Sequence, residues 1–246
     1  MKLKALQKYG HARFKHLQQQ LKHYAQRTDP EILHRIRVEL KKIKVLFHLV
    51  AFCPGNFNSK REYKPLRKIF RKAGHIRKVD VVSRLQHEYK TDDMKQDVLS
   101  ETRKKRKYIS SFKNNIPDFQ RIIRKYDKKM KKYFKRTDAG CFKKYLLSKE
   151  NEVEKRFSQR LRLRELHESR KLIKEIIYLS PLSKDVPVDV KYYHSLQDII
   201  GSWHDKQMFM QLVRKKRNRF HLQSIKKLKA ESDKDIKKLK LFVTES

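Results

Sequence analysis

The scarcity of residues that interrupt helices restricts the fold of this chain more than any other feature. Glycine occurs 5 times and proline 6 times in 246 residues, whereas Leu, Lys, Arg and Glu, which favour helices, are abundant. No stretch of useful length alternates polar and apolar residues as a half-buried strand does. The sequence therefore predicts an all-α protein built from long helices.

A large excess of positive charge indicates the class of partner. Lys and Arg number 65 against 27 Asp and Glu, which gives a formal net charge of +38. Self-repulsion at this imbalance opposes a compact state unless a counter-charge is supplied. We therefore expect a strongly anionic partner: nucleic acid, polyphosphate or an acidic membrane surface. Hydrophobic residues reach 38% and aromatic residues 10%, which is enough for a folded core and argues against disorder.

Start and stop signals divide the chain into successive helices. Thr28-Asp29-Pro30-Glu31 is typical of a helix start, with an N-cap residue, proline at the first position and an acidic first turn. Cys53-Pro54-Gly55-Asn56 ends that helix, and Asn114-Asn115-Ile116-Pro117 is the expected boundary between two halves. We expect helices at about 2–26, 30–52, 60–73, from 78, 92–113, 117–134, 138–148, 151–179 and 188–201, and two more within 203–242.

The two halves carry the same short pattern. Leu33-His34-x-x-Arg37 and Leu166-His167-x-x-Arg170 lie about 130 residues apart, and about 35–40 residues after each pattern an expected helix ends in a glycine, Gly74 or Gly201. The recurrence predicts a tandem duplication of a four-helix unit, with a first helical repeat at 1–115 and a second at 116–246.

Each repeated helix places basic residues on one face. With ~100° per residue, His34, Arg37, Lys41, Lys44 and His48 fall within roughly 80° of one another, beside an apolar stripe that can pack. Like charges at this spacing repel, and a bound phosphate chain gives a reason for them, because Arg forks and Lys ammonium groups both bind phosphate. A merely solvated face is the alternative. The second helix carries a comparable ridge of His167, Arg170, Lys171, Lys174 and Tyr178.

The order of these motifs resembles the CHAD family, the conserved histidine α-helical domain. His34-x-x-Arg37-Val38-x-x-Lys41-Lys42-x-Lys44 and Leu166-His167-x-x-Arg170-Lys171-x-x-Lys174 are similar to its signature. Ala73-Gly74-x-x-Arg77-Lys78-Val79-Asp80-Val81 resembles its G-x-x-R-D-x-D-V stretch. Leu196-Gln197-Asp198-x-Ile200-Gly201-x-Trp203-x-Asp205 resembles the counterpart L-Q-x-x-L-G-x-x-x-D. The resemblance covers nearly the whole chain.

The resemblance implies a fold, a ligand and a set of contacts. A single CHAD domain at 1–246 would contain two antiparallel four-helix bundles related by a pseudo-two-fold axis, with a basic central groove that binds inorganic polyphosphate. Lys78, Glu175 and Ile177 depart from the family pattern. Because Glu175 and Ile177 stand where the second signature often has basic residues, we expect the second ridge to contribute less than the first. The implied polyphosphate-binding residues are His34, Arg37, Lys41, Lys44, His167, Arg170, Lys171 and Lys174.

Two rival functions stay open beside a non-catalytic binding module. A nucleic-acid-binding protein is the first, since a charge of +38 attracts DNA or RNA non-specifically. A polyphosphate-acting enzyme is the second. Asp80, Asp198 and Asp205 are its acid–base candidates, although we expect Asp80 and Asp205 to cap helix starts instead. The 11 histidines form no paired metal motif, and we expect neither a metal nor a cofactor.

The cysteines and the apolar runs bear on the cellular compartment. Cys53 and Cys141 make neither a CxxC motif nor a disulfide framework, so we expect two reduced, partly buried thiols. The longest apolar run, at 45–53, is too short to span a bilayer, and the N-terminus lacks the apolar segment of a signal peptide. We therefore expect a cytoplasmic protein without a membrane partner. With polyphosphate as the ligand that the resemblance implies, an association with polyphosphate granules is the further expectation.

Overall fold

A computed structural model describes residues 3–88, 95–158, 163–183, 186–215 and 222–244 of the chain. These residues contain α-helices and short 3-10 turns without a strand, which confirms the all-α prediction. The helices are α1 (Leu3–Gln26), α2 (Pro30–Phe52), α3 (Ser59–Glu62), α4 (Lys64–Glu88), α5 (Lys95–Asn114), α6 (Ile116–Phe134), α7 (Ala139–Ser158), α8 (Leu166–Leu179), α9 (Val190–Lys215) and α10 (Leu222–Thr244).

The signals around α2 act as the sequence predicts. The Asp29 carboxylate accepts a hydrogen bond of 2.7 Å from the backbone N–H of Glu31, and Pro30 opens the helix, where no intrahelical partner for its nitrogen is needed. The helix ends at Phe52. Gly55 in the following turn has a φ of 145°, a conformation that residues with a Cβ rarely adopt, so this turn requires glycine.

The two glycines expected at helix ends lie inside helices. α4 continues through Gly74 and α9 continues through Gly201, so the expected ends at these glycines and the new starts near 78 and 203 are wrong. An added Cβ would lie 2.6 Å from Nη1 of Arg37 at Gly74, and 2.7 Å from Nη2 of Arg170 at Gly201. Close approach of an arginine, rather than a turn, explains both glycines.

The helices expected at 138–148 and 151–179 are also divided differently. α7 runs without a break from Ala139 to Ser158. A 3-10 turn at Leu163–Glu165 precedes α8, so the expected long helix is two helices. A second 3-10 turn at Ser180–Leu182 follows α8, in the stretch where the sequence predicts a break.

The first compact unit consists of Met1–Arg84 and Met94–Tyr145. Within it α1 packs against α2 and α6, and α5 packs against α6. Tyr24 of α1 and Phe112 of α5 meet edge to face with ring centroids 5.5 Å apart in the core. The buried Tyr63 hydroxyl, just before α4, donates to the Leu40 carbonyl oxygen of α2 at 2.8 Å. This bond fixes the start of α4 against the middle of α2.

A disulfide bond between Cys53 and Cys141 links the end of α2 to the first turn of α7 in this unit. The prediction of two reduced thiols is therefore wrong. The two residues are 88 positions apart in the sequence, and only the fold brings their Cα atoms to 5.7 Å, a separation typical of disulfides. Disulfides are rare in cytosolic proteins, and a cytoplasmic location stays a prediction.

The second compact unit consists of Leu85–Asp93 and Leu146–Ser246. Within it α9 packs against both α8 and α10. Polar bonds join α9 to α10: Nζ of Lys206 donates to Asp235 at 2.8 Å, and Nε2 of Gln207 donates to the Ser232 hydroxyl at 2.9 Å. The division between the units falls inside α7. The repeats at 1–115 and 116–246, their pseudo-two-fold relation and a groove between them stay predictions.

Candidate functional site

In the first unit, basic side chains from α2 and α4 lie close together. His34, Arg37 and Lys41 lie partly exposed on α2, and the charge of Arg77 from α4 acts on both His34 and Arg37. Burial lowers the pKa of His34 below 6.5, and the charges of Arg77, Lys41 and Arg37 lower it further. We call His34, Arg37, Lys41 and Arg77 the first cluster. Lys44 extends the same face of α2 by one turn.

The Arg37 side chain is held in place by α4. Its Nη1 donates to the Phe70 carbonyl oxygen at 3.0 Å, and its guanidinium carbon lies 4.2 Å from the centroid of the Phe70 ring. Gly74, one turn further along α4, leaves room for the guanidinium. Because burial and the charge of Arg77 lower its pKa, the cation is costly here. A guanidinium has five N–H donors, and the bond to Phe70 uses one of them.

An equivalent cluster lies in the second unit. Arg170 of α8 packs its guanidinium against Gly201 of α9, and its Nε is buried without a hydrogen-bond partner among the described residues. The rings of His167 and His204 stack with centroids 4.8 Å apart. Burial lowers the pKa of His167, and His204, Lys171 and Arg170 lower it further. We call His167, Arg170, Lys171 and His204 the second cluster, with Lys174 one turn further along α8.

Arg77 and His204 are the members of the clusters that lie outside the predicted set of binding residues. Each lies three residues after the glycine that contacts the arginine: Gly74 precedes Arg77, and Gly201 precedes His204. One helical turn after a close contact, a side chain points to the same neighbouring helix. The shared spacing after glycine is the signal that could have identified both residues.

Carboxylates lie close to the second cluster. Nζ of Lys171 lies 2.6 Å from the Glu168 carboxylate, and this bond lowers the pKa of Glu168. The family pattern suggests a basic residue at position 175, but Glu175 occupies it. Its Oε2 lies 3.9 Å from Nζ of Lys149 of α7. An anion bound at the second cluster would compete with the Glu168 carboxylate for Lys171.

The three carboxylates considered for acid–base chemistry have local partners. Asp80 lies inside α4 and forms an ion pair of 2.5 Å with Lys105 of α5. Asp205 lies inside α9 beside His204. The expectation that both cap helix starts is wrong, because α4 and α9 continue through the glycines. Asp198 accepts a hydrogen bond from Gln197 at 2.6 Å.

The described part of the chain contains neither a metal-binding cluster nor a membrane-spanning helix. No group of three or more His, Cys, Asp or Glu side chains there could hold a metal ion. No helix in those segments is long and apolar enough to cross a membrane.

Comparisons with known proteins agree on one family. A family model described as the CHAD domain matches residues 8–214. The crystal structure of the CHAD domain from the plant Ricinus communis is similar in fold, with a TM-score of 0.78 at 14% sequence identity, over 98% of this chain and 91% of that chain. No curated protein sequence matches this chain significantly. Since the family model extends over most of its length, this chain belongs to the CHAD-domain family.

Proposed function

We propose that this chain binds inorganic polyphosphate through its two cationic clusters. The observation that carries the proposal is the repeated convergence of cations. In each unit an arginine is fixed against a helix glycine, beside a histidine and a basic side chain three residues after that glycine. Like charges placed this close repel one another, and a bound polyanion would offset that repulsion. Binding residues on this proposal are His34, Arg37, Lys41, Lys44, Arg77, His167, Arg170, Lys171, Lys174 and His204.

The mix of side chains suits a linear chain of phosphates. Arginine offers a planar fork to phosphate oxygens, and lysine offers a point charge on a long stem. A histidine with a lowered pKa is a neutral hydrogen-bond donor until a nearby anion favours its protonation. Each neutralised phosphate releases counterions, so affinity grows with the number of contacts and falls as salt rises. Orthophosphate and ATP have few phosphates and would bind far more weakly.

We propose binding without catalysis. The carboxylates that could act as general acid or base have structural partners, above all Asp80 with Lys105. On this proposal the protein needs no cofactor, and it would concentrate at polyphosphate granules in the cytoplasm.

A titration with matched variants tests the site. Arg37→Ala with Lys41→Ala removes two charges from the first cluster, and Lys237→Ala with Lys238→Ala removes two from the exposed face of α10. Charge-assisted hydrogen bonds contribute roughly 1.5–3 kcal/mol each, so we expect the first variant to lose about a hundredfold in polyphosphate affinity. The α10 variant should lose only a few-fold, because solvated charges are screened by salt.

A further variant separates binding from packing at Arg37. Lys41→Ala with Lys44→Ala leaves the contacts of Arg37 with Phe70 and Gly74 intact, and should still weaken binding much more than the α10 variant. Circular dichroism confirms that each variant is folded. Equal losses in the cluster and α10 variants would show that binding follows net charge alone, and would refute the proposed site.

A further inference from the structure

Helix α6 carries a second row of cations that belongs to neither cluster. At 100° and 1.5 Å per residue, its members fall within about 120° of one another and extend over roughly 21 Å along the helix. All of them are exposed. We call this row the α6 ridge: Arg121, Arg124, Lys125, Lys128, Lys131 and Lys132 of the helix, and Lys135, the residue that caps its C-terminal end.

The α6 ridge is poor in neutralising carboxylates. Arg121 lies 3.3 Å from Asp118, and no other member has an acidic partner among the residues that the structure describes. The remaining acid of α6, Asp127, pairs with His11 of α1 at 2.8 Å. A row of this length with a single acidic partner is disfavoured by self-repulsion, and an external polyanion would relieve that repulsion.

The rest of α6 is occupied by packing, which limits the kind of partner. Phe119, Ile123 and Met130 are buried in the core of the first unit. Tyr126 packs on Phe47 and Tyr133 packs on Phe57, so neither lies on the ridge. Base stacking in single-stranded nucleic acid needs aromatic side chains among the cations, and insertion into a membrane needs an exposed apolar face. The ridge offers neither.

We propose that the α6 ridge binds the backbone of double-stranded DNA by lying in its major groove. A helix with its side chains is about 10–12 Å across, and the major groove is about 12 Å wide. Phosphates flank a helix in the groove on both sides, so cations spread over about 120° of the helix surface reach both strands. A flat membrane would contact only the cations in the middle of that 120° range. Contacts from Lys and Arg to phosphate carry no sequence information, so binding is independent of sequence.

The geometry also distinguishes DNA from RNA. The major groove of A-form RNA is deep and narrow and does not admit side chains. Duplex DNA should therefore bind about tenfold more tightly than duplex RNA of the same sequence. The ridge shares no residue with the two clusters, and the proposal does not depend on polyphosphate binding.

A salt titration of the full chain with labelled duplex DNA tests the ridge. Lys125→Gln, Lys128→Gln, Lys132→Gln and Lys135→Gln are combined in one variant. The matched control combines Lys229→Gln, Lys237→Gln, Lys238→Gln and Lys240→Gln on α10, which are also exposed. Each phosphate contact contributes about 0.9 to the slope of log affinity against log salt. We expect the ridge variant to lose roughly 3–4 of that slope, and the control to keep it.

Chemical modification of lysines tests DNA binding by the ridge without any substitution. In the unmodified protein, duplex DNA should protect the five ridge lysines from an amine-reactive reagent and leave the α10 lysines reactive. Equal loss of slope in both variants, equal protection of both helices, or equal affinity for DNA and RNA duplexes would overturn the proposal. So would a ridge variant that keeps its DNA affinity and loses only binding to vesicles of acidic lipid.

The polyphosphate titration keeps the two proposals distinguishable. The ridge variant should retain polyphosphate affinity within a few-fold, as the α10 control does. The Arg37→Ala, Lys41→Ala variant should keep its salt slope on DNA. One result separates the two proposals: polyphosphate does not bind at all, and the ridge variant still loses salt dependence of its DNA affinity. That result would support DNA binding by the ridge and refute polyphosphate binding.

Discussion

Each cluster depends on an arginine that is part of the packing as well as of the surface. Arg37 bonds to the Phe70 carbonyl oxygen and packs against Gly74, and Arg170 packs against Gly201 in the same way. A flexible side chain loses up to about 2 kcal/mol of rotamer entropy when it is immobilised. Here the fold has already imposed that cost, so a phosphate meets a preorganised guanidinium.

The two cluster histidines should make polyphosphate affinity depend on pH. In the protein without ligand, burial and neighbouring cations hold the pKa of His34 and of His167 below 6.5. A bound polyanion raises both, so binding takes up protons and affinity rises as pH falls from 7.5 to 6. We expect a gain of roughly three- to tenfold per histidine, measured by titration at several pH values.

A matched pair of variants tests the assignment of this pH dependence. His34→Gln with His167→Gln should flatten it, whereas His23→Gln with His194→Gln, both exposed, should not. The folding stability of the protein without ligand should have the opposite pH dependence to the binding affinity, and should decrease as pH falls. A histidine whose pKa is lower in the folded state binds fewer protons there than in the unfolded chain, so stability falls as pH drops through 6.5. A binding profile that stays unchanged in His34→Gln with His167→Gln would contradict the cluster assignment.

At the scale of the elements, distant parts of the chain are held together at a few points. Tyr63 fixes the start of α4 to the middle of α2, and the Cys53–Cys141 disulfide fixes the end of α2 to α7. The clusters require α2 and α4 in register, because one turn of slip along α4 would remove Gly74 from Arg37. These links therefore stabilise the site as well as the unit.

The disulfide should contribute measurably to the stability of the first unit. It closes a loop with a sequence separation of 88 residues, and disulfides typically contribute about 2–4 kcal/mol. Cys53→Ser with Cys141→Ser should lower the free energy of unfolding in urea by that amount. A reducing agent should lower the stability of the original protein to the same level and leave the variant unchanged. Insensitivity of the original protein to reduction would refute the assignment.

At the scale of the whole molecule, charge and core oppose each other. A formal charge of +38 opposes compaction, while apolar side chains buried in each unit, among them Phe14, Phe47, Ile176 and Phe209, stabilise it. Added salt screens the repulsion between exposed charges that lie further apart than the screening length, which is about 8 Å at physiological ionic strength. Salt and polyanions should therefore both stabilise the folded protein.

Polyphosphate should raise the melting temperature well beyond the effect of salt alone. A ligand at a hundred times its Kd adds about 2.7 kcal/mol to stability, which corresponds to a rise in Tm of roughly 5–10 °C for a chain of this size. Orthophosphate at equal ionic strength is the control and should reproduce only the screening effect. A melting curve that saturating long-chain polyphosphate leaves unchanged would contradict the proposed function.

Local signals in the sequence determined much of this protein. The N-cap at Asp29, the proline after it and the boundary at Asn115 act through bonds and clashes between close neighbours along the chain. The basic face of α2 likewise follows from helical periodicity alone. Helix content, the helix limits around α2 and the selection of His34, Arg37, His167 and Arg170 could therefore be reached without a structure, whereas Arg77 and His204 were missed.

Contacts between distant segments were decided only by the tertiary structure. Glycine is expected to end helices, yet Gly74 and Gly201 lie inside them because an arginine from another helix occupies the space of a Cβ. Cys53 and Cys141 pair although nothing near either residue in the sequence favours it. The charge of Arg77 acts on Arg37 because α4 lies against α2, and the spacing of Arg77 after Gly74 became informative only once that packing was known. Such pairings depend on how helices pack against one another, and that information is spread over the whole core rather than held in any one motif.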